Sequence, residues 1–168
     1  MVSSGCRSGH ELAAFNLAYQ LDVGQGFPSD EKDAFQWYQV AAEKGIASAQ
    51  CNLGAMYAQG RGTALDESVG VEWYNKAAEQ GLAEAQYNLG ITLKELGQVD
   101  AAIKCYEDTL AIKHAYPNVH NNLGNIFLER SQLDDAVDHF EWAVAYKPEF
   151  EMAHNNLGTA LLEIDQVD

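Results

Sequence analysis

The stretch HNNLGN, His120–Asn125, sets two adjacent asparagines inside a segment whose apolar residues fall at helical spacing. Asparagine side chains compete for backbone hydrogen bonds, and each costs roughly 0.5 kcal/mol or more relative to alanine in a helix interior. The pair therefore asks for a reason, and recurrence supplies one. HNNLG returns at His154, 34 residues later, and YNLG stands at Tyr87, with its Asn88 34 residues before Asn122. Working outward, Asn-Leu-Ala at 16–18 returns as Asn-Leu-Gly at 52–54 and 88–90 in steps of 36, then at 122–124 and 156–158 in steps of 34. Trp37-Tyr38 is matched by Trp73-Tyr74 and AAEKG from Ala41 by AAEQG from Ala77, both 36 apart. Ala102 and Tyr106 are matched by Ala136 and Phe140, 34 apart. A fixed period in this range dictates the whole fold.

Each unit alternates two apolar-periodic segments with short polar or glycine-containing breaks, the pattern of paired antiparallel helices. The spacing predicts helices over 9–22, 31–43, 47–59, 67–80, 83–96, 99–112, 118–130, 133–146 and 151–163, and no strand. Small residues at 18, 54, 90, 124 and 158, and alanines at 34, 102 and 136, would let two helix backbones approach, with Trp37, Trp73, Tyr106 and Phe140 filling the space beside them. One helix pair cannot bury its apolar stripe alone, so neighbours stack into an all-α superhelix, a right-handed solenoid of about nine helices with a concave face. Gly24-Gln-Gly26 and Gly60-Arg-Gly62 follow no strand and are read as turns, where glycine permits positive φ.

AQCNLGAMYAQGRG (Ala49–Gly62), followed by WYNKAAEQG (Trp73–Gly81), resembles the SEL-one-like repeat, and residues 10–45 resemble it more loosely. NLG followed by AAIKCYEDTLAI, and NLG followed by DDAVDHFEWAVAYKP, resemble the 34-residue tetratricopeptide repeat. The resemblance implies two SEL-one-like repeats over 10–82, two tetratricopeptide repeats over 83–150 and the first helix of a further repeat over 151–168, forming one continuous solenoid. The sequence departs from the pattern at the usually aromatic fourth position, which is Gln86, His120 and His154, and at His114, where a helix-ending proline is expected; Pro117 is read as ending that helix region. GQVD at 97–100 aligns with DQVD at 165–168, so Leu157, Leu161 and Ile164 lack a following helix to cover them. Either a fragment of a longer array or an apolar edge that self-associates is expected.

In the resembling family the first helix of each unit lines the concave groove. Asn16, Asn52, Asn88, Asn122 and Asn156 then form a column, and an amide suits a peptide backbone because it both donates and accepts. Such a ladder resembles that in the repeat arm of O-linked N-acetylglucosamine transferases. A second reading stays open: the column may tie one repeat to the next by hydrogen bonds. Asn121, Asn125 and Asn155 add further amides, and Tyr87, Ile91, Lys94, Leu128 and Leu162 would share the surface. Glu95, Glu129 and Glu163 align along one groove edge at 34-residue spacing. The lysines and arginines by which some family members clamp a carboxylate tail are missing.

Composition bounds the partners. The 168 residues are 47% hydrophobic and carry 25 acidic against 10 basic side chains, a net charge of −15. Nucleic acids and anionic membranes require a basic patch, so a neutral or basic protein or peptide fits better. Three cysteines without close spacing give neither a disulfide framework nor a CxxC motif, and Cys51 and Cys105 are read as small core residues in a cytoplasmic, reducing setting. The five histidines form no metal signature and are read as packing at repeat boundaries. No nucleophile stands beside a base and an orienting group. A non-catalytic interaction scaffold without cofactor or metal is the expectation, with the recognition arm of a larger enzyme and a self-assembling element as alternatives.

Overall fold

The computed structural model describes residues 4–26 and 28–167. Among these residues it is all-α: α1 (Ser4–Val23), α2 (Glu31–Glu43), α3 (Ala47–Gln59), α4 (Glu67–Ala78), α5 (Ala83–Glu95), α6 (Val99–Ile112), α7 (Pro117–Glu129), α8 (Leu133–Tyr146) and α9 (Glu151–Val167). Helix ends follow from local chemistry. Asp30 accepts from the amides of Lys32 and Asp33 at 3.0 and 3.1 Å to start α2, and Asp66, 36 residues later, accepts from Val69 at 3.1 Å to start α4. Caps of this kind are worth about 1 kcal/mol each. Pro117 opens α7 rather than ending the preceding helix region, because its missing N–H is no loss in a first helical turn.

Two compact units result, Met1–Gly97 and Gln98–Asp168. In the first, α1, α2 and α3 enclose a core of Ala14, Ala18, Ala34, Tyr38, Ala41, Ala42, Ala49, Leu53 and Met56, with α3 packed on α4 and α4 on α5. A core this rich in alanine draws helix axes together, and the glycines carry this further. A Cβ added at Gly54 would lie 2.9 Å from the Tyr74 ring and 3.1 Å from the Gly70 carbonyl. In the second unit, Ala136, Phe140 and Ala160 pack with Phe127, Leu128, Val137 and Leu157, and a Cβ at Gly124 would meet the Phe140 ring at 2.6 Å.

These contacts correct the aromatic register. Tyr38 and Tyr74 are buried, at 0% and 3% exposure, whereas Trp37 is 40% exposed and Trp73 only partly buried. The filling ring stands four residues after its small partner in every pair: Ala34 and Tyr38, Gly70 and Tyr74, Ala102 and Tyr106, Ala136 and Phe140. Positions i and i+4 share a helix face, so the tyrosine of each Trp-Tyr pair turns inward.

The glycine turns are as the spacing predicts. Gly60 and Gly62 have φ of +66° and +67°, and a side chain on Gly62 would place its Cβ 2.1 Å from the Glu31 carbonyl. The same turn carries Arg61, which pairs with Asp22 of the α1 helix and, at 3.2 Å, with Glu31 of α2. That ion triad was not legible in advance, since Arg61 lies 30 and 39 residues from its two partners.

Candidate functional site

Every asparagine of the column from Asn52 onward touches a neighbouring helix. Asn52 stands beside the Tyr38 hydroxyl, which donates to Asp22 Oδ2 at 3.4 Å. Asn88 donates to Cys51 Sγ at 3.6 Å, α5 to α3. Asn122 donates to the Tyr106 hydroxyl at 3.3 Å, α7 to α6. Asn156 of α9 donates to Asn121 Oδ1 and Asn125 Oδ1 of α7, at 3.0 and 2.9 Å. Asn121 is itself buried, at 2% exposure, so its amide faces the helix interface and not solvent. The repeat-linking reading is thus realised at Asn88, Asn122 and Asn156, and each of these three donors keeps part of its surface exposed. Burial and the Glu84 charge push the Cys51 thiol up to about 12, while the Asn88 amide opposes the shift.

In the first unit the column opens onto a cleft of about 160 Å³ lined by Ala58 and Gln59 of α3, Tyr74 of α4, and Asn88, Ile91, Thr92 and Glu95 of α5. Asn88, Ile91 and Glu95 therefore converge as their spacing predicts. Gln59 and Thr92 complete the wall without having been singled out, although both fall one or two turns from column positions. Tyr87 and Lys94 are partly buried on the same helix.

In the second unit Asn125 and Leu128 are partly buried on α7, with Leu128 against the core, while Asn155 and Leu162 are exposed on α9. Glu95, Glu129 and Glu163 are all exposed. No group of three or more metal-ligating side chains occurs among the described residues.

The histidines explain the departures at the fourth repeat position. His120 Nε2 lies 3.3 Å from the His114 carbonyl, and His154 Nε2 lies 2.8 Å from the Pro148 carbonyl, the same six-residue reach one repeat later. Each ring clamps the loop that precedes its helix. His120 also meets His139 of α8, Nδ1 to Nδ1 at 3.1 Å, inside a ring cluster with Phe127, Trp142 and Tyr146. Burial lowers the pKa of both imidazoles.

A Sel1 repeat model matches residues 12–46 and 47–82, and a tetratricopeptide repeat model matches 81–149. The chain belongs to the Sel1 and tetratricopeptide family of helical repeats. Among solved structures, a Sel1 repeat protein from Oxalobacter formigenes is 28% identical with a TM-score of 0.75, covering 89% of this chain and 63% of its own. A protective antigen of uropathogenic Escherichia coli strains, displaying an SLR fold, is 30% identical with a TM-score of 0.81, covering 94% of this chain and 35% of its own. The Cut9–Hcn1 hetero-tetramer of the APC/C shares the fold at 20% identity, with a TM-score of 0.73 over 90% of this chain and 30% of that one. No curated protein matches the sequence significantly. The chain thus spans 63% and 35% of the first two relatives. In the terms of these Sel1 and tetratricopeptide repeats, α3, α5, α7 and α9 are first helices, and the fold is of the helix-pair solenoid class.

Proposed function

We propose that this repeat chain is a non-catalytic scaffold that holds a segment of a partner protein along its first helices. Sel1 and tetratricopeptide repeats typically mediate protein–protein interaction. The observation that carries the reading here is the cleft at Asn88, Ile91 and Glu95, with Gln59 opposite. It sets the side chains of Ile91 and Tyr74 beside amides that pair with either backbone group and a carboxylate, which suits a neutral or basic segment. Glu129 and Glu163 are the repeat equivalents of Glu95 in the sequence, and the net charge of −15 acts in the same direction. Unpaired, buried Cys51 and Cys105 fit a reducing, cytoplasmic setting. No helix among the described residues is long and apolar enough to cross a membrane.

The test is a peptide-display selection on the purified chain, followed by affinity measurements on the enriched peptides. Ile91→Glu and, at an exposed position of the same cleft, Gln59→Ala should weaken binding while thermal stability changes little. Undiminished affinity in both variants would remove the cleft from the binding surface. Were this face part of a longer protein, it would serve as the recognition arm, with any catalysis lying outside these repeats.

Self-association through α9 is a second reading with its own observation. A Cβ at Gly158 would meet nothing within 4 Å, whereas Gly54 and Gly124 are covered by rings, and Met152, Leu161 and Leu162 are exposed. Concentration-dependent light scattering that Leu161→Glu abolishes would support it, and a strict monomer at all concentrations would end it.

A further inference from the structure

The α8 helix has two unlike faces. Ala136, Phe140 and Ala143 are buried, while Asp138, Glu141, Trp142 and Ala145 line a shallow depression of about 410 Å³ on the other side. Trp142 is 53% exposed there, yet it is held from behind: its ring stacks on Tyr146 at 5.7 Å and lies 6.4 Å from His120. A large ring already fixed in the free protein has little freedom left to lose on binding.

Single exposed apolar residues are ordinary. What sets Trp142 apart is the charge around it. Trp73 carries its own cation, with Lys76 Nζ 3.8 Å above the ring, because a lysine stands three residues on along the same helix. At Trp142 the corresponding helix neighbours are Asp138, His139, Ala145 and Tyr146, and α8 holds four carboxylates (Asp134, Asp135, Asp138 and Glu141) with no lysine or arginine. An electron-rich ring face beside two carboxylates is the arrangement that receives a cation, and a guanidinium can both stack on an indole and bond to carboxylates.

We propose that this depression is a second docking surface, for an arginine-bearing segment of a protein partner, with the guanidinium resting on Trp142 and bonded to Asp138 and Glu141. It lies on the second helix of its pair and does not depend on the first-helix cleft. The carboxylates repel nucleic acid and anionic membranes, which leaves a basic protein segment as the occupant.

The probe is a capped tri-arginine peptide, titrated near physiological salt into the isotopically labelled protein while the indole N–H signals of its three tryptophans are followed by NMR. The Trp142 signal should shift and saturate, with those of Trp37 and Trp73 unmoved. Trp142→Ala, and separately the double change Asp138→Asn with Glu141→Gln, should each weaken binding about two- to fivefold, the range expected for an exposed cation–π contact. Trp37→Ala should bind as the parent does. Trp142→Phe retains a ring and guards against loss of fold in the alanine variant. Uniform shifts of all three indoles, or unchanged affinity in the Asp138 and Glu141 variant, would reduce the effect to diffuse attraction and overturn the proposal.

Discussion

Asn156 on α9 donates to Asn121 and Asn125 on α7 together, at 3.0 and 2.9 Å, so one amide joins two consecutive repeats. With Asn122 donating to Tyr106 of the preceding helix, the doubled asparagines of HNNLGN face two ways, Asn121 toward the following repeat and Asn122 toward the preceding one. Their cost to the helix is local, whereas the bond they form spans a repeat boundary where a buried, unpaired amide would be far more damaging.

Replacing Asn156 by alanine should therefore destabilise the protein by about 1–3 kcal/mol, because Asn121 stays buried and loses a donor. Asn155→Ala, at an exposed neighbouring position, should change stability by less than about 0.5 kcal/mol. Urea denaturation of the two variants checks this. Equal effects would show that the paired amides link nothing.

Gly124 and Gly158 occupy equivalent repeat positions with opposite surroundings. Gly124→Ala drives a methyl into the Phe140 ring, where its Cβ would stand 2.6 Å away, and should cost about 1–3 kcal/mol through overpacking. Gly158→Ala meets open space and should stabilise α9 by about 0.5–1 kcal/mol from helix propensity. Thermal denaturation should move the two variants in opposite directions.

Much of this was legible before any coordinates. A repeat supplies its own controls, so two-helix units, turn glycines and the small positions at 54 and 124 could be read by superposing one period on the next. The partners of the column could not. Tyr106 and Cys51 accept from Asn122 and Asn88 because neighbouring helices set them there, and nothing at either position announces it. Trp37 and Trp73 misled because size suggests burial, whereas the i to i+4 geometry with the preceding small residue selects the tyrosine. The pairing of His120 with His139 was hidden for a related reason: His139 has no repeat-equivalent histidine.

Ser131 has φ of +57°, a left-handed conformation, at the position equivalent to Gly97 one repeat earlier, where φ is +76°. A side chain there is strained by roughly 1 kcal/mol, part of which glycine relieves at the cost of greater freedom in the unfolded chain. Ser131→Gly should stabilise the protein by about 0.5 kcal/mol, and Ser131→Val should destabilise it, as measured by denaturant midpoints.

His120 and His139 give stability a pH dependence of definite sign. With its Nε2–H donating to the His114 carbonyl, neutral His120 presents a bare Nδ1, which accepts the Nδ1–H of His139. Burial holds both pKa values below the ordinary 6.5; the His120 charge lowers His139 further, and Asp135 and Asp138 partly oppose it. The unfolded chain therefore binds more protons than the folded one just below pH 6.5. The stabilising contribution is complete above that value and is lost as pH falls toward the folded-state pKa values. Once both rings are protonated, two N–H groups face each other and the bond cannot form. Denaturation midpoints measured from about pH 7.5 down to about pH 5 should fall, and His139→Phe, which keeps a ring against Phe127 but cannot titrate, should flatten that fall. An unchanged acid limb in the variant would show that the paired imidazoles do not govern it.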